Sequence, residues 1–521
     1  AMAGLNQTND HSYSMSGSGN GAPTDYIPTL NATTQESQKV STTYYVDKMT
    51  SIFGRLTYDF DKKYLFSASI RRDGSSRFAA NNRFGIFPGV SAGWNMHNED
   101  FFQPATRVIN NLKLRSSWGQ TGNNTLALAD TEGKYNPGYL YNGEAGLLNT
   151  VLANNNLLWE KTSSVDLGFD LGMFNNRLNV LFDVYSKITK DRLMSQRMWA
   201  ESGFSSIKSN YGEMISKGFE VEISGTPVKT KDFSWNASFN FAFNRLVCGK
   251  LPDNGTEKNR TGGGLIYDTK LGKYVYTGGL AEGERPGARF AFESLGVYAT
   301  DEEAADAPYD ELVAASSVGL PKVGGDTRWR DVDGNDTINY KDLVFVGYLH
   351  PDKMGGFTNT FTYKKFTLRV VTDFSMGNVI DNMFRAGANS SGRNNIAPTT
   401  DIIGPDIWKK QGDIATIPRY DVESDWDFGK RNHARPNSPT IGFKDGSANT
   451  LYIKKGDYLA FREVSLSYSL RGSWLDDFKM SGIDLSLSVF NLGYLTGYDG
   501  LTPEVIGADA GKFPRPRSVI F

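Results

Sequence analysis

Apolar and polar residues alternate with a period of two along much of this chain. The clearest case is the segment 233–245, FSWNASFNFAFNR, in which every second position is apolar: Phe233, Trp235, Ala237, Phe239, Phe241 and Phe243. A period of two predicts a β-strand with one apolar face and one polar face. Soluble strands are rarely this long or this aromatic, so we expect the apolar face to meet lipid and the Asn and Ser face to line a hydrated lumen.

The same alternation predicts hairpins elsewhere. Segments 44–60 and 64–74 flank the short turn Asp61-Lys62-Lys63, and 163–188 folds back at FNNR, where Asn175 and Asn176 tolerate the positive φ of a tight turn. Further strands are predicted at 84–96, 111–122, 217–225, 355–363, 366–374, 458–470 and 483–491. The pattern predicts about fourteen strands in all, many of them long enough to cross a bilayer at a tilt.

Short and long connections alternate along the predicted strands. The short ones are 61–63, 174–177 and 364–365, and long external loops are predicted near 1–43, 121–158, 189–216, 246–354 and 375–457. Short turns at one end and long loops at the other are typical of membrane barrels. The sequence therefore predicts an all-β protein, a transmembrane antiparallel β-barrel.

Composition narrows the function classes. The net charge of −2 does not indicate a nucleic-acid-binding protein, which would be basic. The hydrophobic fraction of 39% is low for a helical membrane protein. No apolar run approaches the roughly 18 residues of a transmembrane helix. Aromatic residues make up 13% of the chain and there are 55 glycines, which suits a barrel or a large secreted β-protein. That second class stays open at this point.

Cysteine usage and the N-terminus add two expectations. Cys248 is the only cysteine, so no disulfide forms within the chain, and we expect a structural role for it. The first residues, AMAGLNQTND, lack the charged and apolar regions of a signal peptide. For an exported protein we therefore expect a mature or trimmed chain, or part of a longer polypeptide.

Several segments, in order, carry a family resemblance. They are 55–78, 84–96, 112–123, 158–185, 354–370, 451–470 (LYIKKGDYLAFREVSLSYSL), 487–504 (LSVFNLGYLTGYDGLTPE) and 511–521 (GKFPRPRSVIF). Together they resemble the C-terminal part of SusC/RagA-like TonB-dependent outer-membrane transporters. No single motif decides the match, but the collinear order makes the resemblance specific.

The resemblance implies more than the residues show on their own. It implies a 22-stranded barrel, with about fourteen strands here, in the outer membrane of a Gram-negative bacterium. It implies an N-terminal plug, a SusD-like surface lipoprotein, energy from the TonB–ExbB–ExbD complex, and oligosaccharide or peptide cargo. No cofactor is required. Two departures stand out: plug and TonB box are absent from this chain, and the closing strand at Phe521 looks incomplete. The alternatives are a non-transporting secreted β-protein or adhesin, and a passive porin-like channel.

One loop motif has the spacing of a calcium site. In RDVDGNDTINYKD, positions 1, 3, 5, 7 and 12 of an EF-hand-like loop are Asp331, Asp333, Asn335, Thr337 and Asp342. Ca²⁺ takes several oxygen ligands, and Thr337 would contribute its backbone carbonyl. Asp336 replaces the usual glycine at position 6, and the last position is Asp where Glu is usual. The sequence thus supports either a structural calcium that stiffens an external loop or a solvated turn.

Aromatic residues in the long loops are candidate cargo contacts. Aromatic faces stack on sugars and peptides, and loops often carry function. The candidates are Trp329, Trp408, Tyr420 and Trp426. Packing within the loops is the alternative for each. We expect no enzyme, because the four histidines are scattered and the sequence has neither a G-x-S-x-G elbow nor a P-loop.

Overall fold

Fourteen strands form one large antiparallel sheet in the computed structural model, which describes residues 1–268, 272–311, 321–388, 403–419 and 449–521. We number these strands β1 to β14 along the chain. They are Met2–Ser18, Lys39–Phe60, Tyr64–Ser75, Phe84–Asn95, Ile109–Asn123, Glu160–Met173, Leu178–Arg197, Ser206–Lys229, Phe233–Lys250, Lys353–Tyr363, Phe366–Met376, Tyr458–Leu470, Ile483–Thr496 and Ser518–Ile520.

The strand order in the sheet is the order along the chain, so each strand pairs with its sequence neighbours. Successive connections therefore alternate between the two ends of the sheet. One end has the short turns 61–63, 174–177, 230–232 and 364–365, together with 96–108 and 471–482. The other end has every connection that exceeds twenty residues, including 124–159, 251–352 and 377–457. This is the asymmetry that the sequence predicts.

By contacts between backbone positions, the chain divides into two compact units. The first comprises 1–99, 113–167 and 185–215, and the second comprises 100–112, 168–184 and 216–521. Each is described on its own below. Among the described residues, no helix is long and apolar enough to cross a membrane.

In the second unit the pairing register separates apolar from polar rows. Across β9 to β13, directly opposite residues form the apolar row Trp235, Phe361, Leu368, Leu466 and Leu487. The next row across the same strands is polar, and it contains Asn236, Thr360, Arg369, Ser465 and Ser488. Because neighbouring rows point to opposite faces of a sheet, one face is apolar and the other polar over all five strands.

The first unit has the same two faces. Its polar face carries a row of hydroxyls directly opposite one another across β2 to β5: Thr57, Ser67, Ser91 and Ser117. On its other face, Ile70, Ile86 and Val90 are exposed. A cavity of about 770 Å³ is lined by three residues of this row, Ser67, Ser91 and Ser117, and by Arg55 and Arg71. The polar face of this unit is therefore an open, hydrated wall.

Two of the predicted loops are wrong. Met2–Ser18 lies within the predicted loop 1–43 but pairs with β2 over its whole length, from Met2 opposite Arg55 to Ser18 opposite Lys39. Most of 189–216 is also strand, since β7 runs to Arg197 and β8 begins at Ser206. Neither segment alternates apolar and polar residues. Each belongs to a part of the sheet that extends beyond the region in which one face is apolar. Backbone pairing holds them as strands without that signal.

The long connections carry their own small elements. Short strands lie at Lys134–Tyr141, Glu144–Val151, Gly264–Asp268, Lys273–Thr277, Ala288–Phe292, Ser294–Val297, Tyr309–Asp310, Thr327–Trp329, Thr337–Ile338, Leu343–Tyr348, Val379–Asp381, Ile453–Lys455 and Gly507–Ala508. Short α-helices lie at Leu128–Glu132, Asp301–Ala304 and Met383–Ala388. Turns of 3-10 helix include Ala80–Asn82, Asp100–Arg107, Tyr340–Asp342 and Ser473–Phe478.

Candidate functional site

The loop between 331 and 342 brings three carboxylates together. Oxygens of Asp331, Asp333 and Asp342 all lie within 4.8 Å of one another. Asp331 holds the turn, because one of its oxygens accepts from the amide of Gly334 at 2.7 Å and the other accepts from that of Asp336 at 2.8 Å. Asp336 has a φ of 55°, the left-handed conformation that glycine usually supplies at this position. The aspartate therefore does not prevent the tight turn.

The other two predicted ligands have different roles in the loop. The Asn335 amide nitrogen donates to Asp333 at 3.1 Å, and its carbonyl oxygen accepts from the amide of Thr337 at 2.8 Å. Asp342 is fully buried and accepts from the amides of Val332 at 2.8 Å and Asn339 at 2.7 Å. Burial, together with the charges of Asp331 and Asp333, raises the pKa of Asp342 to about 6. Asp342 is therefore harder to ionise than an exposed aspartate, and a cation among the three carboxylates would favour its charged form.

The structure places two of the four candidate cargo aromatics. Trp329 is 4% exposed and lies in a small core with Phe292 and Ile338, so its ring is not available to cargo. Trp408 is half-buried, and its indole nitrogen donates to the carbonyl of Ala299 at 3.0 Å. Trp329 therefore acts within the fold of its loop, whereas half-buried Trp408 stays a predicted cargo contact. Tyr420 and Trp426 lie outside the described residues.

A cavity of about 760 Å³ opens on the polar face of the second unit. Residues of the segment 503–515 form one wall, and six strands, β7 to β12, contribute to the other. The strand residues that line it include apolar ones such as Leu181 and Met354, and also the acidic or amide-bearing residues Asp183, Glu220, Glu222, Asn240 and Asp373. Glu220 and Glu222 are exposed, and neither forms an ion pair with a residue that the structure describes.

A partly exposed charge network fastens the connection 497–517 at this cavity. Glu504 accepts from Arg515 at 2.7 Å and from the Tyr494 hydroxyl at 3.1 Å, and it also pairs with Arg462. Arg462 in turn makes two bonds to Asp373, at 2.8 and 2.9 Å. Burial alone would raise the pKa of Glu504, but bonding to Arg462 and the neighbouring cationic charges outweigh burial and lower it. The Glu504 carboxylate, placed between the guanidinium groups of Arg462 and Arg515, therefore holds the connection to the strands.

Comparison with known proteins identifies the family. A family model described as TonB dependent receptor-like, beta-barrel matches residues 3–492. The chain belongs to the TonB-dependent receptor β-barrel family. This family comprises outer-membrane receptors and transporters of Gram-negative bacteria and is not a class of enzymes. The prediction of an all-β transmembrane barrel is confirmed, and so is the resemblance to SusC and RagA.

The individual relatives agree with the family. TonB-dependent receptor P39 of Formosa agariphila is 31% identical over 95% of this chain and 48% of its own length. TonB-dependent receptor SusC of Bacteroides thetaiotaomicron is 28% identical over 90% of this chain and 42% of its own. The RagAB peptide transporter shares the fold, with a TM-score of 0.70 at 22% identity, over 99% of this chain and 52% of that one. This chain spans about half the length of the curated relatives it matches.

Membership of this family assigns the two faces of the sheet. In membrane barrels the outward face is apolar and flanked by aromatic girdles, whereas the inward face is polar. The row containing Trp235 therefore faces lipid, and the row containing Asn236 faces the lumen. Sequence reasoning missed the acidic pair Glu220 and Glu222, although both stand at polar positions of a predicted strand. No sequence signal links Glu504 to Arg462, because the two are far apart in the chain.

Proposed function

We propose that this chain is the barrel wall of an energised outer-membrane importer for an oligosaccharide or peptide nutrient. The observation that carries the proposal is the acidic cavity of about 760 Å³ on the lumen-facing side, walled by strands and by the fastened 503–515 segment. A wall that is polar, hydrated and lined with acceptor groups suits hydrophilic cargo. The fold of the RagAB peptide transporter supports the proposal, as does the relationship to SusC.

The lumen-facing carboxylates support a plug inside the barrel. Glu220 and Glu222 stand two residues apart on β8, exposed and without an ion-pair partner among the described residues. A row of carboxylates on the wall of a narrow lumen is stabilised by cations placed opposite it. We infer that a plug domain from the same polypeptide supplies these cations, and that the remaining barrel strands complete the wall. TonB would then drive import by moving the plug.

An apolar hairpin supports a lid protein outside the membrane. Strands Lys134–Tyr141 and Glu144–Val151 pair in the connection 124–159, at the long-loop end of the sheet. The hairpin turns at Asn142 and Gly143, which both have positive φ, as a two-residue type I′ turn requires. Its tip exposes Leu140 at 75%, Tyr141 at 83% and Leu147 at 71%. We infer that a SusD-like lipoprotein covers this apolar tip.

A structural calcium fits the 331–342 loop. Asp331, Asp333 and Asp342 would supply carboxylate oxygens, which are the ligands that Ca²⁺ prefers. One oxygen of Asp333 is buried without a hydrogen-bond partner among the described groups, as expected for a ligand atom. The ion would stiffen the loop and would take no part in chemistry. Asn335 and the backbone carbonyl of Thr337 complete the predicted set, although the Asn335 side chain already bonds to Asp333 and to the Thr337 amide.

A matched pair of variants tests the calcium proposal. Asp333→Asn removes a cluster carboxylate, whereas Asp336→Asn makes the same charge change at an exposed position of the same loop. We expect calcium to raise the midpoint of thermal unfolding of the full-length wild type and of Asp336→Asn, relative to samples in chelator. Asp333→Asn should lose most of that rise. Equal responses of the two variants would contradict the proposal.

A growth experiment separates import from the two alternatives. Cells that carry the full-length gene, its deletion, or the deletion of tonB are grown on defined oligosaccharides and oligopeptides as the sole limiting nutrient. Energised import predicts that one nutrient class fails equally in both deletions. A passive channel predicts failure only in the gene deletion, and an adhesin predicts growth in all strains.

A further inference from the structure

Three cations stand close together on the lipid-facing side of the sheet. Lys217 in β8, Arg245 in β9 and Lys353 in β10 lie on three adjacent strands of the second unit. All three side chains are exposed. None of them forms an ion pair with any residue that the structure describes. Exposed, unpaired cations on a lipid-facing surface require an explanation, because charge is costly there.

The aromatic contacts fix the side on which these cations lie. The Phe219 ring centroid is 5.8 Å from that of Phe241 and 5.7 Å from that of Phe243, so these rings share the apolar face. Lys217 is two residues before Phe219, and Arg245 is two residues after Phe243. Lys353 is directly opposite Phe243. Since side chains two apart along a strand, or opposite across a pair, share a face, all three cations face lipid.

Strand geometry gives their height in the membrane. On the lipid-facing side of β9, Phe233 and then Trp235 follow the short turn 230–232, and Arg245 comes about ten residues after Trp235. Ten residues rise roughly 33 Å along a strand, or about 25 Å across the membrane at a tilt near 40°. That distance equals the usual height of the apolar band. The cations therefore stand at its outer boundary, where Lys and Arg side chains reach the headgroups.

The three strands that carry the cations hold no carboxylate within ion-pair reach on the lipid-facing side. The lipid-facing positions of β9 and β10 contain no carboxylate in either strand, both of which are described throughout. On β8, Glu213 shares the side of Lys217, but it is four residues away, which is roughly 13 Å along the strand. That distance exceeds the reach of an ion pair. The surface offers three cations above a wall of phenylalanine rings.

We propose that Lys217, Arg245 and Lys353 bind the phosphorylated headgroup of a glycolipid in the outer leaflet, with its acyl chains against the aromatic face below. Charge complementarity and position at the band boundary favour a lipid over soluble phosphate, because the phenylalanine rings bind only the lipid. The proposal depends on the outer-membrane location of the family. It does not depend on cargo or on TonB, so it can fail while the import proposal stands.

The test measures lipid binding by the full-length protein in detergent. The probes are bisphosphorylated lipid A, its dephosphorylated form, and inorganic phosphate as competitor, and bound lipid is counted by native mass spectrometry. The test variant is Lys217→Gln/Arg245→Gln/Lys353→Gln. The control, Lys229→Gln/Lys231→Gln/Lys364→Gln, makes the same charge change at the short-turn end of the same strands. A charge-preserving variant, Lys217→Arg/Arg245→Lys/Lys353→Arg, keeps the test valid if the neutral variant does not fold.

We expect the wild type, the control and the charge-preserving variant to bind bisphosphorylated lipid A at least tenfold more tightly than the dephosphorylated form, because each cation near an anionic surface contributes measurably. The neutral variant should lose that preference, and millimolar inorganic phosphate should leave binding unchanged. Equal binding by neutral variant and wild type would overturn the proposal. Full competition by inorganic phosphate would also overturn it, since the site would then recognise phosphate without the lipid.

Discussion

Phe241→Arg is the sharpest test of the assignment of faces. Phe241 belongs to the apolar row of β9, six residues from Trp235 and four from Arg245, so it lies near the middle of the band. The centroid of its ring lies 5.8 Å from that of Phe219 and 6.3 Å from that of Phe374. Asn240 is the neighbouring residue of the strand, so it points to the other face, where it is exposed. Phe241 and Asn240 are therefore adjacent in the sequence but lie on opposite faces of the sheet.

The expected cost differs strongly between these neighbours. An arginine at the lipid-facing midplane costs about 2–4 kcal/mol in membrane barrels. Loss of two aromatic contacts adds about 0.5–1.5 kcal/mol for each. Phe241→Arg should therefore lower the free energy of unfolding by about 3–7 kcal/mol. Asn240→Arg places the same charge beside carboxylates and water, so it should change that free energy by less than about 1 kcal/mol.

The assay is urea unfolding of the full-length protein, refolded into phosphatidylcholine vesicles and followed by tryptophan fluorescence. A shift from folded to unfolded mobility in unheated gels gives a second readout. If Asn240→Arg were as costly as Phe241→Arg, the apolar row would not face lipid. The reasoning would also be refuted if Phe241→Arg were tolerated, because a core-facing or exposed soluble strand would then explain the alternation.

Two further predictions concern the cavity wall. Glu504→Gln should loosen the connection 497–517, at a cost of about 1–3 kcal/mol, because Arg515 and Arg462 lose the carboxylate between them, although Arg462 keeps its bonds to Asp373. Since the pKa of Glu504 is lowered in the fold, its stabilisation is present above the ordinary carboxyl pKa and is lost as pH falls through the folded value. The amide protection factors of 497–517, which correct for the pH dependence of intrinsic exchange, should therefore fall in acid in the wild type and be low at all pH in the variant; high protection in the variant at neutral pH would contradict this. Gly355→Ala should lower the yield of folded protein, because the new Cβ would lie 2.2 Å from the carbonyl oxygen of Asn240. Gly54→Ala, whose nearest non-neighbouring atom would be 3.8 Å away, is the control, and equal yields would be evidence against the tight approach of β9 and β10.

Alternation allowed the lipid-facing strands to be predicted closely. The predicted strand 458–470 coincides with β12, Tyr458–Leu470, because its residues make one face clearly apolar and the other clearly polar. Met2–Ser18 was missed because its pairing with β2 is made by the backbone, which leaves no apolar period. The hairpin that turns at Asn142-Gly143 carries a recognised turn signal, which was available in the sequence.

The loops were harder to predict for a physical reason. Trp329 lies in a strand of only three residues, too short to show a period, so the sequence does not reveal that it is buried against Phe292. The three carboxylates of the 331–342 loop could be predicted from the sequence because they are close together along the chain. The ion pair of Glu504 with Arg462 could not be predicted, since it depends on how β12 and the connection 497–517 meet in space.

The most direct test of energised import is uptake by cells of the nutrient class that the growth experiment identifies, measured with a labelled oligosaccharide or peptide. The account predicts that uptake by the wild type stops when the proton gradient is collapsed, although the label still binds to the cell surface. Deletion of tonB should give the same result. Uptake that continues without the gradient or without TonB would contradict the account and would favour a passive channel.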